Sequence, residues 1–400
     1  MKNALTLCTL LFVTTVAMAQ PTRTTVQNGN ATNPLTWDCT CIPLPGDNIV
    51  VNHALTLNTD FAYSSGSFLI NASGSCTGDI PTRGMAVLGG SFINHGTFSV
   101  GNFYHSGGTF TNDGTILIGN LYGVDQTATE TNTGTITISD SLFVNTNAAF
   151  INNGNSSAPV IATAGTITNN STMSCSYLWN SGTVNHNSGV MTVTNDILTS
   201  GTINVNASLS VDYDIWNSGV FDNGTSQIDV GHSLYTGDST ALPATFTNDG
   251  LISVNNDLYN NKTLNGSGRF CVGQVTANSG TISGTLDICD QTGGAIDFNT
   301  GTIAGTVTYC AVNCNVGTGD EEKDEFSIYP NPFDNQVIIK RTSSDSQNFI
   351  LLNALGQVVM KMKLTAAQTK LDMSELNSGI YFYSVEENGA KTQSGRLLKK

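Results

Sequence analysis

Positive charge is what this 400-residue sequence has least of. It carries 15 lysines and arginines against 30 acids, a net charge of −15, and charged residues of both signs are only 11% of the chain. Soluble domains average roughly 25%. The shortage is local: between Pro21 and Gly319 the only bases are Arg23, Arg83, Lys262 and Arg269. Binding phosphates needs a basic face, so nucleic acid is excluded as a partner of this segment. Proline is also scarce, at 9 residues beside 41 glycines. That excludes collagen, and the low charge excludes a coiled coil or a charge-rich disordered chain. No window approaches the ~20 apolar residues of a spanning helix, so no transmembrane segment is expected in the mature chain.

What is present begins with an export signal. Lys2 supplies a positive start, Leu5, Leu7, Leu10, Leu11, Phe12 and Val13 a short apolar run, and Ala17-Met-Ala19 a small-x-small cleavage site. The pattern predicts cleavage between Ala19 and Gln20. Cys8 leaves with the signal, and eight cysteines remain for an oxidising compartment.

The body repeats one phrase: Asn94-His-Gly96-Thr-Phe, Asn112-Asp-Gly114-Thr-Ile, Asn132-Thr-Gly134-Thr-Ile, Asn180-Ser-Gly182-Thr-Val, and onward to Asn299-Thr-Gly301-Thr-Ile. Asn-x-Gly reads as a turn of positive φ, and Thr-Ile-x-Ile alternates with the period of a strand. The longer gaps, from Gly154 to Gly182 and after Gly219, read as an insertion or a degenerate coil. One such unit buries four or five aliphatic side chains, at ~1.5–3 kcal/mol each. Ordering its residues costs ~1–2 kcal/mol apiece. A unit therefore cannot fold alone and must stack. The expected fold is all-β: a parallel, right-handed β-helix or solenoid, followed by a small C-terminal β-sandwich. An array of β-sandwiches is the rival architecture.

The ends differ from the body. Trp37-Asp-Cys39-Thr-Cys41-Ile-Pro43-Leu-Pro45-Gly46-Asp47 resembles the opening of many secreted Bacteroidetes β-helix proteins and implies an N-terminal cap, stapled by two of Cys39, Cys41 and Cys76. The tail carries Tyr329-Pro330-Asn331-Pro332, Leu352-Asn-Ala-Leu-Gly356-Gln, Ser378-Gly379-Ile-Tyr381 and the terminal pair Lys399-Lys400. These motifs resemble the type A C-terminal sorting domain of the Bacteroidetes type IX secretion system. Ala354 departs from the aspartate more usual there. The resemblance implies the type IX machinery as partner, removal of the tail, and delivery to the surface or beyond. The divisions are then 1–19 signal peptide, 20–90 cap and first coils, 91–312 repeats, 313–325 linker and 326–400 sorting domain.

Candidate sites follow from the repeat. Cys271, Cys289 and Cys310 recur at the interval of one coil, and stacked strands lie ~4.8 Å apart, within disulfide reach. The preferred pairing is Cys271–Cys289 with Cys310–Cys314; Cys289–Cys310 with Cys271–Cys314 is the alternative. A second phrase places aromatics in a column at Tyr104, Tyr122, Phe143, Trp179, Trp216, Tyr235 and Tyr259, each after an aliphatic residue. Either the rings point outward as a glycan platform, or they stack internally at a corner. The row before them, Asn102, Asn120, Asp196, Asp214 and Asp257, either caps turns or holds calcium; no other cofactor or metal is expected. His53, His95, His105, His186 and His232 show no metal-ligand spacing. Asp212 with Asp214, and Asp287 with Asp290, are the carboxylate pairs open to a glycosidase. A lyase would want more cations than this body has. The sequence thus points to a non-enzymatic surface or secreted solenoid in adhesion, glycan or matrix binding, or structure. An extracellular glycan or outer-membrane lipopolysaccharide is its partner, and a polysaccharide-degrading enzyme is the alternative.

Overall fold

In a computed structural model, residues 20–237, 243–312, 314, 327–329, 333–341, 347–353, 357–387 and 390–399 are described. The expected signal peptide, with Ala19, lies outside them. The chain divides into two compact units, Met1–Cys314 and Asn315–Lys400.

The first unit is a parallel β-solenoid of about 13 turns. A representative rung has three strands, Thr109–Asn112, Thr115–Ile118 and Leu121–Val124, one on each of three faces. The first face is a sheet of 15 parallel strands. The second and third join in one 25-stranded sheet, because Asn155–Thr163 and Thr172–Asn180 run through both. Strand follows strand in parallel register, as in Ile116 beside Ile136 and Ile118 beside Ile138. Hairpin-built sandwiches are thereby excluded for this unit; a lone antiparallel bridge, Thr25 to Trp37, belongs to the cap. Alternation sends Phe110, Ile116, Ile118 and Val124 into one continuous core, while the threonines between them face out.

The Asn-x-Gly phrase has a different cause from the one its turn chemistry suggests. Its asparagines are interior. Asn94, Asn112, Asn132, Asn152 and Asn169 are fully buried, and each of the first four donates from Nδ2 to Oδ1 of the next, at 2.7 to 2.9 Å. The members lie 18, 20, 20 and 17 residues apart. Such a ladder satisfies buried amides that would otherwise cost about 1–3 kcal/mol each. Nor do the glycines adopt positive φ here. A Cβ on Gly134 would lie 2.1 Å from the carbonyl oxygen of Gly114 on the rung before, so glycine is required by close backbone stacking. The long gaps in the phrase are a change of corner rather than inserted coils. Up to Asn152 the asparagine ends a first-face strand; Asn180 and Asn217 end third-face strands, Asn248 again a first-face strand, and Asn278 a third-face strand. The exception is the 25-residue step from Asn223 to Asn248, which contains the extra residues around 237–244.

The second unit has a three-stranded and a four-stranded antiparallel sheet around Phe333, Val337, Ile339, Phe349, Leu351 and Leu364. Tyr329 ends the strand Ser327–Tyr329, opposite Ile338. The Tyr381 hydroxyl donates to Asn377 O at 2.8 Å, and Gly379 has φ +151°. Lys399 is buried, its ammonium donating to the carbonyls of Met373 and Ser374. Pro330, Asn331, Pro332, Gly356 and Lys400 lie outside the described residues.

Candidate functional site: a ring ladder on the third face

The third-face strands alternate around one outward position per rung. Register pairing makes that column Ala86, Tyr104, Gly123, Phe143, Ala162, Trp179, Leu198, Trp216, Tyr235, Tyr259 and Ala277. Six of the seven aromatics expected in the column are in it. Trp179 is 47% exposed, Trp216 43% and Tyr104 39%; Phe143, Tyr235 and Tyr259 are half-buried.

Tyr122 is the correction. It is fully buried, and its neighbour Gly123 takes the outward place. Its hydroxyl donates to Glu130 Oε2 at 2.7 Å, and His105 Nδ1 lies 2.9 Å from Glu130 Oε1. A buried tyrosine needs a partner for its hydroxyl, and Glu130, from the next rung, supplies it. All three side chains are sealed from solvent. Burial raises the Glu130 carboxyl above its ordinary range, against the opposing pull of His105 and Tyr122.

The ladder has two halves. In the later half, Trp216, Tyr235 and Tyr259 occupy successive rungs. Their rings stack at 3.8 and 5.1 Å, within 6° of parallel, so the faces between them are covered. Beside them Tyr213 stacks on His232 at 4.6 Å. In the earlier half, rings alternate with small or aliphatic residues. The Tyr104 ring fills the space where a Cβ of Gly123 would sit, its Cδ1 only 2.9 Å from that point. Phe143, Ala162, Trp179, Leu198 and Trp216 line an open trough of about 500 Å³, edged by Asn145, Ser181 and Ser200. No cation lines it.

The acidic row is occupied by backbone. Asp196 accepts from the Asp214 N–H at 3.2 Å, Asp214 from Ser233 at 2.9 Å, and Asp257 from Val275 at 3.1 Å. Asp214 also meets His232 Nδ1 at 2.6 Å. The two carboxylates of Asp287–Asp290 are likewise engaged separately. Asp287 takes the Ala311 and Val312 N–H groups and the Thr308 hydroxyl. Burial would raise its carboxyl, but these hydrogen bonds outweigh burial and hold it below the usual range. Asp290 is buried and accepts from Thr276 and Thr292. Among the described residues no group of three or more His, Cys, Asp or Glu is placed to hold a metal ion.

The cysteines also correct the preferred pairing. Cys271 and Cys289 are register partners, but they do not bond. The stack continues past Ile303, with Thr308 pairing in parallel beside Asp287, so Cys310 stands one rung on from Cys289, Cα–Cα 4.3 Å. The chain then turns back at Cys310, where φ is +47°, and brings Cys314 to Cys271, Cα–Cα 5.4 Å. Cys39 bonds Cys41 in the cap. Cys76 takes no part: it is free and buried, as is Cys175, since it faces the core between Leu55 and Phe98.

The fold and this face define a class: a parallel β-solenoid bearing an outward ring ladder, followed in the chain by a separate small β-domain. Residues 327–400, in that C-terminal domain, match the family model of the secretion system C-terminal sorting domain. The tail addresses the chain to the type IX secretion system, and so to the cell surface or the extracellular space. No curated protein and no solved structure matches the chain. No helix among the described residues is long and apolar enough to cross a membrane.

Proposed function

We propose that the solenoid is a non-enzymatic adhesion module which binds an uncharged glycan along its third face, after export begun by the N-terminal signal. The observation that carries this reading is the exposed trough at Phe143, Ala162, Trp179, Leu198 and Trp216. Flat rings offer a sugar large contact area at little entropy cost, and the amide and hydroxyls at the edge suit its hydroxyl groups. A uronate or a lipopolysaccharide phosphate would call for cations, and the trough has none. The carboxylates next to the ladder favour binding over hydrolysis, because each accepts from backbone N–H groups of the following rung. The test presents the purified chain to immobilised neutral and acidic polysaccharides while new reducing ends are assayed. Retention on a neutral polysaccharide without new ends is expected. Turnover would replace binding by an enzyme, and retention on none would overturn the reading.

A further inference from the structure

We infer that the ligand is an extended, twofold β-1,4-linked chain of neutral sugars lying parallel to the solenoid axis; this rests on the glycan-binding reading above. The argument is one of period. Tyr104, Phe143, Trp179 and Trp216 stand on alternate rungs, separated by Gly123, Ala162 and Leu198. Rungs lie ~4.8 Å apart, so these rings recur every ~9.6 Å. In an extended β-1,4-linked chain each sugar covers about one rung and is flipped relative to the last. The same face therefore returns at every second sugar, in step with the rings. Helical α-1,4-linked chains present no such repeat.

The intervening residues serve the same geometry. Without a Cβ at Gly123 the Tyr104 ring can settle over the next rung. Ala162 leaves the floor of the trough low between Phe143 and Trp179. By contrast, Tyr235 and Tyr259 stack on consecutive rungs beyond Trp216 and cover the faces between them, so the alternating stretch from Tyr104 to Trp216 is the binding half. Its four rings span six rung steps, ~29 Å, or about six to seven sugars.

The experiment titrates the full chain with β-1,4-linked and α-1,4-linked neutral oligosaccharides of graded length. Affinity is expected to climb to about six or seven β-linked sugars and then level off, with α-linked chains at least about tenfold weaker, a difference of about 1.4 kcal/mol. Ala162→Trp, which closes the trough, should lose about tenfold or more, and Thr111→Ala on the first face should lose nothing. If Ala162→Trp fails to fold, Trp179→Ala removes a ring without adding bulk and should show the same loss. Equal binding of both linkages or saturation at two sugars would overturn this inference while leaving glycan binding at the trough standing; full affinity in the trough variants would overturn both. No binding of either linkage at any length would remove both.

Discussion

Trp216 and Tyr235 lie face to face, ring centroids 3.8 Å apart and planes 6° from parallel. Tyr235 is also stacked on Tyr259, making it the middle plate of three. Each such contact is worth about 0.5–1.5 kcal/mol beyond the area it buries. Tyr235→Ala should therefore lower stability by about 1–3 kcal/mol, and Tyr235→Phe, which keeps the ring, should cost far less. Urea unfolding followed by tryptophan fluorescence makes the comparison; equal midpoints for the Ala variant and the parent would show that the stack adds nothing.

Rung spacing depends on Asn132 and Gly134. Asn132→Ala leaves the Asn112 amide and the Asn152 carbonyl without their ladder partner, a loss of about 2 kcal/mol or more. Gly134→Ala drives a methyl toward the Gly114 carbonyl 2.1 Å away and should cost about 1–3 kcal/mol. Gly305, with nothing within 4 Å of its would-be Cβ, is the control, and its alanine variant should unfold near the parent midpoint.

His186 ends the asparagine ladder. Its Nδ1 accepts from Asn169 at 3.1 Å and its Nε2 donates to Ser208 O at 2.8 Å, the pattern of a neutral ring. Burial lowers its pKa, more than its backbone hydrogen bonds raise it. The folded value thus lies below the unfolded one, near 6.5. The unfolded chain then takes up the proton first, so this contribution is complete above pH ~6.5 and is lost as pH falls through the folded value. His186→Asn can extend the ladder without a titrating group. The parent should lose stability relative to this variant on acidification, and parallel pH profiles would contradict the assignment.

Thiol chemistry separates core from clasp. Burial pushes the Cys175 thiol up to about 12, and Cys76 upward as well. The non-reduced protein from Gln20 onward, without Cys8, should expose no reactive thiol when folded and two in denaturant. Mild reduction should open Cys271–Cys314 and Cys289–Cys310 and make the last coil protease-sensitive before the middle rungs. Reactive thiols in the folded, non-reduced protein would refute this layout.

The solenoid was legible because its period is written in Asn-x-Gly and Thr-Ile, each tied to one position on the rung. What the phrase does was less legible. A buried amide ladder and a backbone contact between rungs are relations across ~20 residues, so Asn132 and Gly134 looked like ordinary turn residues. The ring column was nearly complete from alternation alone. It failed at Leu121-Tyr122-Gly123, where the preceding aliphatic suggested an outward tyrosine. The inward choice depends on Glu130, which local alternation does not reveal. The cysteines show the same limit: coil spacing set Cys271 beside Cys289 and Cys289 beside Cys310, but the turn back at Cys310, which returns Cys314 to Cys271, decided the partners.

Quenching of tryptophan fluorescence tests the central claim most directly. Trp37 is buried, whereas Trp179 and Trp216 are exposed on the ladder. Adding a neutral β-1,4-linked hexasaccharide to the folded protein should shield its emission from acrylamide saturably, and Trp179→Phe with Trp216→Phe should abolish the change. Retention of the sugar with both indoles as accessible as before would place the binding surface elsewhere and contradict the account.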